Sequence, residues 1–287
     1  MAKGRELKGR IKSTENTKKI TRTMEMVATS KMKRAQDRVT SARPYARALA
    51  EVMANLYDAE LAQNFPLLRQ PQRAATAAVI VLTANRGLCG AFNSNLIKEA
   101  RSLLRTLDDA GTLVELHVVG RKGIGYFKYV GRPMVSQRTD IGDRPTAEDG
   151  ASLIDGAMTR FASGALDAVY IVYGKYNSAL SAPPAHERVL PVAVPARTGP
   201  ARDFILSPGA DVILGELLPL AVRNTMYRAL VETVAGEQGA RRTAMKNATD
   251  NATDMLSTLR RTYNRARQAQ ITQEIAEIVG GAAALSG

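Results

Sequence analysis

Hydrophobic residues at both ends of the chain recur every three or four positions, which is the spacing of one face of an α-helix. The N-terminal set consists of Ile11, Ile20, Met24, Val27, Ala28, Met32, Ala35, Val39, Ala42, Ala46, Leu49, Met53 and Leu56. The C-terminal set consists of Met245, Ala248, Ala252, Met255, Leu259, Ala266, Ala269, Ile271, Ile275 and Ile278. The first set predicts a helix over residues 4–62, disturbed at Pro44 because proline lacks the N–H that a helix needs. The second predicts a helix of about 60 residues, roughly 90 Å long at 1.5 Å per residue.

The middle of the chain has a different pattern, in which short apolar runs alternate with amphipathic segments. Strands are predicted at residues 77–83, 113–119, 168–173 and 189–194, and helices at residues 93–107, 122–130 and 147–161. Strands that alternate with helices are typical of an α/β domain with a small, largely parallel sheet. Pro191 predicts an edge position for the fourth strand, since proline cannot donate a hydrogen bond to a neighbouring strand.

The two terminal helical segments have a similar period and are joined by this compact domain, so they are predicted to pair as an antiparallel coiled coil. The predicted organisation is an N-terminal coiled-coil helix at 1–65, a central α/β domain at 66–205 and a C-terminal coiled-coil helix at 206–287. The C-terminal seam is rich in Ala, Thr and Gln, which bury less apolar area than the Leu or Ile of a self-sufficient coiled coil. Past the end of its partner helix, this segment is therefore expected to need an external surface for support.

The chain is strongly basic, with a formal net charge of +13. Residues 1–47 contain 14 Lys and Arg residues but only four acidic ones. Three interpretations of this basic helix stay open: a solvated face, a nucleic-acid interface that contacts phosphates, or attraction to an acidic protein or membrane surface. Charge alone does not decide between them.

Cysteine content and hydropathy exclude several classes of protein. The single cysteine, Cys89, excludes an internal disulfide framework and favours a reducing compartment. No stretch approaches the 18 apolar residues that indicate a membrane-spanning helix. The basic N-terminus lacks the apolar region of a secretory signal.

Known nucleotide-binding and catalytic patterns are absent from the α/β segment. Neither GxxxxGK[ST] nor GxGxxG occurs, and residues 120–125 (GRKGIG) are better interpreted as a strand-to-helix turn than as a phosphate site. Cys89, within residues 86–90 (RGLCG), is a weak candidate for an activated thiol because His117 and His186 have no evident link to it. One cysteine and two separated histidines cannot form a closed zinc site. We therefore predict no catalytic residue, cofactor or metal.

Motifs along nearly the whole chain resemble those of the γ subunit of F-type ATP synthase, in its bacterial form. They are IKSTENTKKIT at 11–21, TMEMVA at 23–28, KM at 31–32, RGLCGAFN at 86–93, GRKG at 120–123, AMKNA at 244–248, YN at 263–264, RQA at 267–269 and ITQEIAEIVGGAAA at 271–284. The last of these is highly specific. The chain departs from the family pattern at Asn85, where Asp is usual, and at Thr243, where Met is common. It also lacks the usual Ser before Glu237.

The resemblance implies a central rotor that is not itself an enzyme. Its terminal helices would form a coiled coil inside a hexamer of alternating α and β subunits, and a Rossmann-like α/β domain would sit beneath with the ε subunit, on the c-ring of the membrane sector. Proton flow would turn the ring, and the rotor would drive each β site through its conformations in turn, with the reverse direction in hydrolysis. One copy per complex is implied.

The resemblance also implies roles for particular residues. Met24 would face an acidic lever segment of β, with Lys18, Lys19 and Arg22 adding attraction. Arg267 and Gln268 would contact a β loop known as the catch, and Ile275 and Ile278 would meet the surrounding β subunits. The residues expected near the c-ring are Ile205, Leu206, Ser207 and Pro208.

The chain lacks an inserted cysteine pair of the kind used for thiol regulation in chloroplast members of this family. The absence of a transit peptide favours the cytoplasmic side of a bacterial inner membrane over an organelle. Two other classes of protein are weighed against the rotor. A basic coiled-coil nucleic-acid-binding protein would show salt-sensitive binding of DNA or RNA. A small α/β enzyme with helical arms is disfavoured by the missing catalytic residues.

Overall fold

The computed structural model describes residues 2–56, 64–72, 74–193 and 209–285. The helices are α1 (Ala2–Leu56), α2 (Phe92–Asp109), α3 (Arg121–Tyr129), α4 (Ala147–Ala162) and α5 (Ala210–Leu285). The strands are β1 (Thr76–Leu82), β2 (Leu113–Val119), β3 (Ser136–Arg138), β4 (Ala168–Gly174) and β5 (Pro184–Leu190). The chain divides into two compact units, one made of Met1–Val27 and Arg242–Gly287 and the other of Ala28–Arg241. The predicted domain boundaries stay a prediction.

The first unit pairs the start of α1 with the C-terminal part of α5. Thr249 Oγ1 lies 2.8 Å from Thr21 Oγ1, and Arg260 donates to Glu15 at 2.6 Å. Residue numbers fall along one helix as they rise along the other, so the pairing is antiparallel, as predicted. The buried residues of this unit are Thr21, Met245, Thr249, Ala252 and Leu256.

Where the two helices pair, three large hydrophobic residues of the predicted helical faces lie outside the seam. Ile20, Val27 and Met255 are 60%, 49% and 57% exposed. Smaller or neighbouring residues take their places, since Thr21 and Leu256 are buried instead. Consecutive residues of a helix point about 100° apart, so a seam one position away turns the larger side chain outward.

The second unit is built on a five-stranded sheet in the order β3-β2-β1-β4-β5. The pairs β1–β2, β1–β4 and β2–β3 are parallel, and β4–β5 is antiparallel. Alternate residues of β1 face opposite sides of the sheet. Ile80 and Leu82 join a core that includes α4, α5 and the α1 residues Leu49 and Met53. Val79 and Val81 join a second core with α2 and α3.

The predicted helices of the α/β segment and three of its predicted strands agree with the structure to within two residues. The predicted position of the fourth strand is wrong, because the strand spans Pro184–Leu190 instead of residues 189–194. Its three central residues, His186, Glu187 and Arg188, are polar, so the strand lacks a continuous apolar run. It ends before Pro191, which has no N–H to donate to a ladder. The edge location itself is confirmed. The short strand β3 was not predicted, because its sequence, SQR, has no apolar residue.

The terminal helices also differ in detail from the prediction. Helix α1 ends at Leu56 in the described part of the chain and continues across Pro44. Residues 57–62 of the predicted helix lie outside the described residues. Helix α5 begins at Ala210 and contains Pro219.

Candidate partner-binding surfaces

The basic cluster proposed on α1 belongs to the first unit. Lys18 and Met24 are half-buried there, whereas Lys19 and Arg22 are exposed. None of the three cations forms an ion pair with another described residue. Unneutralised cations on one helical segment favour an acidic partner, because exposed charges attract charges of opposite sign over about 8 Å in physiological salt.

The second predicted set lies on α5 in the same unit. Arg267 and Gln268 are exposed, and so are Ile275 and Ile278, at 56% and 72%. Every described side chain from residue 271 to 282 is exposed. Large apolar side chains in contiguous exposure are typical of an interaction surface. The third set, Ile205, Leu206, Ser207 and Pro208, lies outside the described residues.

The structure does not bring the first two sets together. Thr249 lies opposite Thr21, next to the basic cluster, and Arg267 follows eighteen positions later on the same helix. At 1.5 Å per residue, this places Arg267 roughly 27 Å along the helix axis from that point. The two sets are therefore separate contact regions.

In the second unit, the loop after β1 is organised by Asn85. Its Nδ2 donates to the carbonyls of Thr139 and Ile141 at 3.0 and 2.9 Å, and its Oδ1 accepts from the N–H of Arg121 at 3.1 Å. Only a side chain with both a donor and an acceptor can make all three bonds. The departure from the family's usual Asp at this position therefore has a local structural basis.

We expect Asn85→Asp to lower the free energy of unfolding by about 1–3 kcal/mol, because a carboxylate would leave two carbonyls without a donor. Urea unfolding of the purified chain measures this. The matched control is Asn95→Asp, in the first turn of α2, where Asn95 is exposed. A carboxylate there is neutral or slightly favourable to a helix N-terminus. Equal stability of the two variants would contradict the role given to Asn85.

The start of α3 explains why the GRKG segment is not a phosphate site. Its first backbone N–H groups are already bonded within the chain: that of Arg121 to Asn85 Oδ1, that of Lys122 to the carbonyl of Ala84, and that of Gly123 to Thr83 Oγ1. A phosphate site at a helix N-terminus needs such groups free. The prediction of a strand-to-helix turn is confirmed.

Cys89 is structural. It is buried at 2% exposure, and Asn93 Nδ2 lies 3.1 Å from its sulfur. Burial raises the pKa of the Cys89 thiol, against the opposing charge of Arg241. A nucleophilic cysteine needs the opposite shift, toward thiolate.

Two buried carboxylates on α5 were not identified from the sequence. Glu237 pairs with Arg241 at 2.6 Å, both side chains being about one-tenth exposed. Arg241 also donates to the carbonyl of Gly87 at 3.2 Å, which ties the loop after β1 to α5. Glu232 accepts the N–H of Tyr176 at 3.0 Å, and burial raises its pKa. The spacing of Glu237 and Arg241, four positions apart on a helix, is the signal that would have found the pair.

Some of the cations of α1 form ion pairs or hydrogen bonds within the second unit. Lys31 pairs with Asp143 at 2.5 Å, and Arg38 donates to the carbonyl of the same residue at 3.5 Å. Arg43 donates to the carbonyl of Tyr176 at 3.2 Å. These cations stabilise the unit and are not a free phosphate-binding surface.

Among the described residues, no group of three or more His, Cys, Asp and Glu side chains is placed to hold a metal ion. None of the described helices has the length and apolar content of a membrane-spanning segment.

Comparisons with known proteins cover the whole chain. A family model described as ATP synthase matches residues 3–285. The chain is similar to the ATP synthase gamma chain of Gemmatimonas aurantiaca, with 70% identity over the full length of both. It is 42% identical to the ATP synthase gamma chain of Leptospira biflexa, again over the full length of both.

Solved structures share the fold. A chain of the Euglena gracilis mitochondrial ATP synthase aligns with a TM-score of 0.69 and 19% identity, covering 99% of this chain and 95% of that one. A chain of the Tetrahymena thermophila mitochondrial ATP synthase central stalk and c-ring aligns with a TM-score of 0.62 and 24% identity. The alignment covers 80% of this chain and 99% of that one.

Proposed function

The chain belongs to the ATP synthase gamma chain family, and we propose that it is the non-catalytic central rotor subunit of a proton-translocating F-type ATP synthase. In this role, proton flow through the membrane sector turns the chain. Its rotation then changes the conformation of each β subunit in turn, because different faces of the rotor contact it. Hydrolysis of ATP drives the same motion in reverse.

The observation that carries this proposal is the 70% identity to a gamma chain over the full length of both proteins. The local structure is consistent with it. The terminal helices pair antiparallel, and the exposed apolar residues of α5 after residue 270 need a surrounding surface to pack on. The nucleic-acid alternative is not supported by these relatives, and some of the cations that suggested it bind within the chain.

We propose that the basic cluster and the α5 set bind β subunits. Met24 would face an acidic segment of β, and Lys18, Lys19 and Arg22 would attract it. The absence of ion partners for these cations among the described residues supports this. Arg267 and Gln268 would hydrogen-bond to a β loop.

The remaining assembly contacts extend the same proposal. Ile275 and Ile278 would contact the inner surface of the hexamer. Residues 205–208 would lie near the c-ring, and the α/β unit would bind the ε subunit, with one copy of this chain per complex. We propose a peripheral location on the cytoplasmic side of a bacterial inner membrane.

The test uses the complete complex. The tagged chain is expected to co-purify with a nucleotide-hydrolysing hexamer. In that complex, Arg267→Ala with Gln268→Ala should lower ATP hydrolysis and proton-driven synthesis by about tenfold or more, since a hydrogen bond to a charged group contributes about 1.5–3 kcal/mol and 1.4 kcal/mol is tenfold. Steady-state rates of both reactions are measured.

The control variant is Arg265→Ala, which removes an exposed cation two positions away on another face of α5. It should keep both rates. Unchanged rates in the double variant would refute the β-loop assignment, and failure to co-purify with a hexamer would refute the rotor role itself.

A further inference from the structure

The second unit has a groove between α2 and α3 with a volume of about 700 Å³. Its floor is formed by Leu104 and Phe127, which are 5% and 1% exposed. One wall carries Val130, an apolar side chain that is 49% exposed. Leu104 and Phe127 close the floor and are almost fully covered, so the apolar surface that the groove offers to an occupant comes mainly from Val130.

The other wall of the groove is a stripe of cations on α2. Lys98, Arg101 and Arg105 follow at steps of three and four, so they lie on one face of the helix over roughly 10 Å. Lys98 and Arg101 form no ion pair with any described residue. Arg105 approaches Asp109 only at 3.8 Å, with both side chains more than 70% exposed, which is a weak pair.

The acidic residues of the groove are at its end. Asp108 accepts two hydrogen bonds from Arg132, both at 2.9 Å, and this bidentate pair neutralises it. Four cations line the groove against two carboxylates, so its net charge is positive. The excess lies at Lys98 and Arg101, which are about two to three helical turns before those carboxylates on α2. Neither cation pairs with either carboxylate.

We propose that this groove binds an acidic amphipathic helix from another subunit of the same complex, an inference that rests on the proposed function. A helix fits because carboxylates spaced three and four apart along one edge would match Lys98, Arg101 and Arg105. Its apolar face would pack on the exposed side chain of Val130. A nucleic acid fits less well, because a continuous phosphate backbone would meet Asp109 at the groove's end.

The experiment places a photoreactive benzophenone side chain at Ser102, which is exposed and lines the groove. The purified ATP synthase complex is irradiated, and the cross-linked peptide is identified by mass spectrometry. We expect one acidic helical segment of a partner subunit. The same side chain at Thr159, which is exposed on α4 on the other face of the sheet, should not label that segment.

Charge reversal tests the recognition. Lys98→Glu with Arg101→Glu should lower the cross-linking yield at least fivefold, whereas Lys128→Glu, an exposed cation of α3 outside the lining, should not. Unchanged melting of the isolated variant chain shows that the fold is intact. No cross-link in an assembled complex, a cross-link to lipid, nucleic acid or a non-acidic peptide, or a yield insensitive to charge reversal would overturn the groove proposal alone. Failure of the chain to join any nucleotide-hydrolysing complex would overturn the proposed function as well.

Discussion

Replacing Gly120 by alanine should prevent the chain from folding stably, with a loss of more than about 4 kcal/mol, at the exceptional end for one substitution. Gly120 joins β2 to α3 with a φ of +96°, and a Cβ there would lie 2.1 Å from the carbonyl oxygen of Thr83. The strain of a positive φ alone costs about 1–2 kcal/mol. The clash is with backbone, so no side-chain rotation relieves it.

The matched control is Gly131→Ala. Gly131 also has a positive φ, +70°, but nothing lies within 4 Å of its Cβ position. It should cost only the conformational strain, about 1–2 kcal/mol. Soluble yield and the thermal midpoint of the two purified variants give the comparison, and similar midpoints would show that the approach to Thr83 is unimportant.

Glu237→Gln should destabilise the chain by about 3 kcal/mol, because it leaves the guanidinium of Arg241 buried without a counter-charge. The loop after β1 should loosen as well, since Arg241 also holds the carbonyl of Gly87. Urea unfolding measures the first effect, and amide hydrogen exchange of residues 86–90 measures the second. Exchange that stays as slow as in the wild type would argue against the tie between this loop and α5.

Glu232→Gln is the control. At neutral pH it should raise the free energy of unfolding, whereas Glu237→Gln should lower it. Glu232 is 5% exposed and has no cation within salt-bridge distance among the described residues, and burial raises its pKa above the ordinary 4.5. The folded state therefore binds the proton more tightly than the unfolded state. Wild-type stability falls as pH rises from about the ordinary value through the raised one. The glutamine variant should lack this fall, while its amide oxygen still accepts the N–H of Tyr176. If the free energy of unfolding changed with pH in the same way in the wild type and in the glutamine variant, this explanation would be contradicted.

Periodicity predicted the helices and strands that are long or wholly apolar. It failed where contacts with other elements determine whether a strand forms or which residues are buried. The run at β1 and the helical face of α2 are strong local signals, so both were found within two residues. Strand β3 forms because Ser136 and its neighbours pair with β2, and three polar residues give no hydrophobic pattern that predicts this contact. In the first unit, the partner helix selects Thr21 and Leu256 for the seam, although Ile20 and Met255 fit the hydrophobic pattern as well.

The candidate contact residues came from the resemblance to a family, and composition alone would not have singled out Arg267 among the many arginines. The structure adds what pattern reasoning could not supply. That Asn85 uses its amide in three hydrogen bonds depends on residues more than 30 positions away. The burial of Glu237 with Arg241 depends on how α5 packs on the loop after β1. Lys98 and Arg101 form no ion pair with a described residue, and that they line a groove depends likewise on the packing of α3 beside α2.

The burial of Cys89 has a practical consequence for following this protein at work. Since the sequence holds only this thiol, and it is shielded and disfavoured as a thiolate, the natural chain gives little background with maleimide dyes or spin labels. A cysteine introduced at an exposed position, such as Ile278, would be labelled almost alone. The protein is therefore already suited to single-site fluorescence or distance measurements without removal of its own cysteine.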